Sequence, residues 1–91
     1  MRHQSASERF RWLLTDLCGQ MGFCDAIREQ DRLEALVQSG PEALADEVMR
    51  CEGLVPEYNK ALRRSLQAFI SERFAKWEEL DAARGRSLSP R

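Results

Sequence analysis

The chain has 91 residues, is 43% apolar and 32% charged, and carries a formal net charge of −1. This is the composition of a single soluble globular unit, and it excludes a two-lobed enzyme, a collagen-like chain and a disordered polyelectrolyte. Near-neutrality also argues against a surface tuned throughout to phosphate backbones.

A chain this short buries only about 60–65% of the surface it exposes when unfolded, so a second copy or a partner could supply missing burial. Five Gly and three Pro leave few breaks, which favours helices over a turn-rich β fold. The expected fold is all-α: a small bundle of four helices, three shorter ones packed on a long C-terminal helix. One helical domain is expected over residues 1–84, with 1–5 frayed and 85–91 as a flexible basic tail.

The first helix is the clearest element. Phe10, Leu13, Leu14, Leu17, Cys18 and Met21 recur at helical spacing. Ser5 and Glu8 fit a capping box, and Gly19 and Gly22 supply an end or a bend, which places the helix at about residues 6–19. Trp12 lies off this apolar stripe, next to Arg9 and Arg11. From Phe23 to Gln38 the pattern is weaker. It fits either one helix over about residues 24–38 or a turn followed by a helix capped by Asp31.

Ser39-Gly40-Pro41-Glu42 reads as a stop and a restart. Pro41 suits a first helical turn and Glu42 the positive end of the helix dipole. Leu44, Val48 and Cys51 then share a stripe flanked by Ala45 and Met49, and Gly53 ends the helix. Pro56 is expected to open the last helix, which nothing interrupts until Gly85. Its large apolar residues, Tyr58, Leu62, Leu66, Phe69, Ile70, Phe74, Trp77 and Leu80, spread over roughly 160° of its circumference. One neighbouring helix does not cover so wide a stripe.

Catalytic chemistry finds little support. His3 is the single histidine, so a Ser–His or Cys–His pair is not expected. The chain has no CxxC, Glu-x-x-His, GxxxxGK[ST] or GxGxxG pattern. Neither a cofactor nor a metal is expected, and the chain reads as non-enzymatic. Asp25 with Glu29, and Glu42 with Asp46, stand one helical turn apart and are the remaining carboxylate candidates. Their ordinary role is a solvated polar face.

Cys18, Cys24 and Cys51 are odd in number and follow no apolar leader, which reads as free thiols in a reducing, cytoplasmic setting. A membrane span is not expected.

Charge is segregated. Residues 25–57 hold nine acids and three bases, and residues 60–91 hold eight bases and four acids. Lys60, Arg63 and Arg64 are therefore the nucleic-acid candidates. The opposing expectation is that the acidic third helix lies beside this basic segment and offsets it. A helix-turn-helix around Gly40 is disfavoured, because its reading helix would carry Glu42, Asp46, Glu47 and Glu52 toward phosphates.

Partner-binding candidates are Trp12, Arg73, Phe74 and Trp77. Trp beside Arg has the composition of an interface anchor. Arg73 falls inside the apolar sector, where it would stack on Trp77 or meet a partner carboxylate. The expected role is protein–protein interaction, with another protein or a second copy of the chain. A nucleic-acid-associated regulator is the first alternative. A small-ligand-binding protein or carboxylate enzyme is the second.

Overall fold

The computed structural model describes the backbone of residues 6–88 and the side chains of residues 6–82. The expectations for residues 1–5, including the Ser5 cap, and for residues 89–91 lie outside the described residues. The architecture is all-α, with no strand among the described residues. Four α-helices follow one another: α1 (Ala6–Met21), α2 (Gln30–Glu34), α3 (Pro41–Cys51) and α4 (Lys60–Leu88). Short 3-10 turns at Asp25–Glu29, Val37–Ser39 and Pro56–Tyr58 join them.

Helix α1 buries Phe10, Leu13, Leu14 and Leu17, the stripe expected from its spacing. It runs past Gly19 and stops at Gly22, whose φ of 78° is the left-handed conformation that favours glycine. The Gly22 N–H then donates to the Cys18 carbonyl at 3.1 Å, and Phe23 N–H to that of Leu17 at 3.2 Å. These bonds turn the chain so that Phe23 enters the core.

The segment after α1 follows the second expected form, a turn and then a helix, but without the Asp31 cap. A 3-10 turn leads into a five-residue α2 that starts at Gln30, with Asp31 inside it and no side-chain cap. Ala26 and Leu33 are fully buried, and their seven-residue spacing would also suit one face of a regular helix, so their burial does not by itself account for the break. Glu52 pins the start of this segment, its Oε2 accepting the Ala26 N–H at 3.0 Å.

Helix α3 opens at Pro41, as its sequence predicts, and buries Leu44, Ala45, Val48 and Met49. Cys51, expected on the same stripe, is only half-buried. Gly53, at φ 78°, closes the helix in a Schellman arrangement: Leu54 N–H donates to the Met49 carbonyl at 2.9 Å and Gly53 N–H to that of Arg50 at 3.0 Å.

Two boundaries of the last helix differ from expectation. Pro56 forms a separate 3-10 turn, and α4 begins at Lys60, with the Asn59 carbonyl accepting the Arg63 N–H at 2.8 Å. Tyr58 therefore sits outside the helix and is 85% exposed, not part of its apolar stripe. At the other end α4 continues through Gly85 to Leu88, because a single glycine costs a helix only about 1 kcal/mol.

Helix α4 packs against α3 over its first half, where Leu66 and Ile70 are fully buried. Its 29 residues span about 43 Å, while the 11 residues of α3 span about 16 Å. The second half of α4 therefore extends beyond its main support.

The cysteines correct the free-thiol expectation. Cys18 and Cys24 form a disulfide with their Cα atoms 4.3 Å apart, and Cys51 alone carries a thiol. The turn at Gly22 brings the end of α1 back beside Cys24, which sequence spacing alone does not reveal. No helix among the described residues is long and apolar enough to cross a membrane.

Candidate functional site

The partner-binding candidates converge on the seam between α1 and the second half of α4. The two helices run antiparallel there. Arg9, early in α1, pairs with Asp81, late in α4, and Asp16, later in α1, pairs with Arg73, earlier in α4. Arg9 donates through both terminal nitrogens to Asp81, at 3.1 and 2.6 Å. Its guanidinium also lies 6.0 Å from the centre of the Trp77 ring, within range of a cation–π attraction. Hydrogen bonding to Asp81 raises the Arg9 pKa above its ordinary value, so the guanidinium stays charged.

Arg73 departs from its expected stacking: it lies over Phe69, 4.7 Å from the ring centre, and not over Trp77. Helical side chains lean toward the N-terminus, so a long residue meets the neighbour four positions before it. Within the chain its carboxylate partner is Asp16.

Trp77 instead packs on Phe74, with ring centres 5.2 Å apart and planes tilted by 31°. Both rings are half-buried and rest on the edge of the core. Beyond them Leu80 is 50% exposed, and Trp12 on α1 is 59% exposed. Trp12 stands three residues after Arg9 and four before Asp16, the two residues that reach across to α4. The two helices joined by these ion pairs thus carry an exposed indole on α1, and a half-covered indole and an open leucine on α4.

The core side of the same seam opens into a cleft of about 390 Å³, lined by residues that include Arg9, Phe10, Glu34, Val37, Trp77 and Asp81. Glu34 accepts a hydrogen bond from the Ser7 hydroxyl at 3.0 Å, and Gln30 Nε2 donates to the Ser7 carbonyl at 3.2 Å. These bonds tie α2 to the first turn of α1 and shape the cleft wall. A second concavity, lined by Glu72, Arg73, Lys76, Trp77 and Leu80, runs along the outer face of α4.

The nucleic-acid candidates are divided. Arg63 is held by Asp46 of α3 through two bonds of 2.8 Å, which is the offset expected between the acidic third helix and the basic start of the fourth. Lys60 and Arg64 are exposed. The carboxylate candidates are divided as well. Glu29 accepts from Arg32 at 3.1 Å and Asp46 from Arg63, while Asp25 and Glu42 face solvent. No group of acids, histidines and cysteines among the described residues is arranged to hold a metal ion.

Near the bottom of α3, Arg32 pairs with Glu47, and Arg50 donates to the same carboxylate at 3.1 Å. Hydrogen bonding to Arg32 lowers the Glu47 pKa below the usual glutamate range. Arg32 also lies 3.2 Å from Cys51 Sγ, yet burial raises the Cys51 pKa and keeps the thiol protonated.

Arg9, Asp16 and Asp81 were not singled out by sequence reasoning. A signal existed: Arg9 and Asp16 are two turns apart, as are Arg73 and Asp81, and their charge signs match in antiparallel order. It was obscured by the 57 and 72 residues that separate the partners. Comparison with known proteins matches the chain to no family model, no curated protein and no solved structure.

Proposed function

We propose that this chain is a non-enzymatic protein–protein interaction module that docks a second copy of itself or another protein through the outer edge of the α1–α4 seam. The observation that carries this reading is the partial exposure of Phe74, Trp77 and Leu80 on a helix that outreaches its support, with exposed Trp12 on the helix ion-paired to it. Aromatic residues at a partly desolvated surface, ringed by paired charges, have the composition of an interface anchor. Arg73 contributes by shape: held by Asp16 and stacked on Phe69, it keeps the seam rigid. A rigid surface loses less entropy on docking than a mobile one.

The test is sedimentation velocity from sub-micromolar to several hundred micromolar protein, with wild type and a Trp12→Ser/Leu80→Ser variant. Concentration-dependent association that the variant loses, at unchanged helical content, supports the reading. Equal behaviour of both proteins removes Trp12 and Leu80 from any self-contact.

A nucleic-acid reading draws on exposed Lys60 and Arg64 beside Tyr58, which is 85% exposed and able to stack on a base. Retention on single-stranded DNA that weakens with salt and disappears in Lys60→Ala/Arg64→Ala would favour it over the docking reading.

A further inference from the structure

The cleft on the core side of the seam carries its own chemistry. Its volume of about 390 Å³ lies within the range of small-ligand sites, about 300–1,000 Å³. Phe10, Val37 and Trp77 give it apolar walls. The charged residues among its lining are Arg9, Asp81 and Glu34. Arg9 and Asp81 neutralise one another and close one side, with the guanidinium already placed over Trp77. Glu34 is different. Its hydrogen-bond donor is the Ser7 hydroxyl, a neutral group that orients the carboxylate through Oε2 without balancing its charge. The described lining therefore carries one negative charge in excess, next to an apolar wall.

We propose that this cleft receives a primary alkylammonium group, the chemistry shared by a lysine side chain and a free short-chain amine. Its methylenes lie along Phe10, Val37 and Trp77, and its ammonium group meets the Glu34 carboxylate. An anion of the same length would be repelled by Glu34. A neutral alcohol would bury the same stem and forgo the charge-assisted bond, which is about twice as strong as a neutral one. The lysine form deepens the docking reading, since a partner would then insert one lysine beside the aromatic seam. The free-amine form stands without that reading.

The experiment is a nuclear magnetic resonance titration of the full ¹⁵N-labelled chain with butylamine, butanol and butyrate at neutral pH, following the indole N–H signals of Trp77 and Trp12. The proposal predicts a saturable shift of the Trp77 signal with butylamine, little movement of Trp12, and weaker responses to the other two compounds. Glu34→Gln keeps the shape of the side chain and should weaken butylamine binding about tenfold, the effect of removing one charge-assisted contact. Unchanged circular dichroism shows that this variant is folded.

Equal responses to all three compounds, an undiminished response in Glu34→Gln, or no saturable shift at any tested concentration would overturn the proposal. A parallel titration with Nα-acetyl-lysine methylamide separates the two sources. Binding equal to that of butylamine assigns a partner's lysine, and binding about tenfold weaker assigns a free amine. Loss of self-association with retained amine binding would sink the docking reading and leave the cleft assignment standing.

Discussion

Leu66 and Ile70 in the first half of α4 are fully buried, whereas in its second half Phe74 and Trp77 are half covered and Leu80 is 50% exposed. The same helix meets two kinds of neighbour. Its first half lies against α3, close enough for backbones to approach and for aliphatic side chains to interlock. Its second half meets α1 mainly through long side chains, the Arg9–Asp81 and Arg73–Asp16 pairs, with aromatic rings beneath them. Close packing removes water from an apolar stripe, while a bridged seam leaves part of it wet. The first arrangement holds the fold together, and the second leaves apolar surface exposed, on which the proposed docking rests.

The sharpest way to break this contrast is mutation of equivalent residues in the two halves. Leu66→Ala or Ile70→Ala should lower unfolding free energy by about 2–5 kcal/mol, the usual cost of a core cavity, as read by urea denaturation. Leu80→Ala should stay within about 0.5 kcal/mol of wild type. Similar losses at Leu66 and Leu80 would show that the second half is as well packed as the first.

The disulfide offers the next largest effect. Joining Cys18 to Cys24 closes a short loop, so Cys18→Ser/Cys24→Ser should cost about 2 kcal/mol. Thiol counting in the unfolded, non-reduced protein should give one reactive group, at Cys51. Three reactive groups would restore the free-thiol expectation.

Across the bridged seam, Asp81→Asn should cost less than about 1 kcal/mol, because the Asp81 carboxylate is open to solvent. Its effect should be clearer in the Trp77 fluorescence, since Arg9 is released from its anchor above that ring.

The smallest effect is the pH dependence of the pair on the other side of the molecule. The Glu47 pKa is lowered in the folded state, so its contribution is present above the ordinary glutamate range and is lost as pH falls through the depressed value. Thermal unfolding should show a shallow decline below about pH 4, absent in Glu47→Gln.

The sequence was most legible where periodicity and punctuation agreed. The stripe Phe10–Leu17, the Gly40-Pro41 restart and the Gly53 stop all appear where spacing and turn chemistry place them. Helical breadth also pointed correctly to incomplete cover of Phe74, Trp77 and Leu80. Legibility failed where periodicity and punctuation did not decide the outcome. The path from Asp25 to Ser39 is broken into 3-10 turns around a five-residue helix, and no residue pattern there marks the breaks. Tyr58 looked like part of the α4 stripe until the Pro56 turn set it outside the helix. Arg73 and Asp16 belong to one pair, yet nothing in their separate neighbourhoods reveals it.

The central claim is that the outer edge of the α1–α4 seam is open in the lone chain and becomes covered on docking. The most direct measurement is acrylamide quenching of Trp12 in a Trp77→Phe protein, from dilute to concentrated solution and with any partner that co-sediments. The account predicts efficient quenching when the chain is dilute and clear protection once it is assembled. Protection of Trp12 in the dilute chain, or quenching that stays the same in every assembled state, would contradict it.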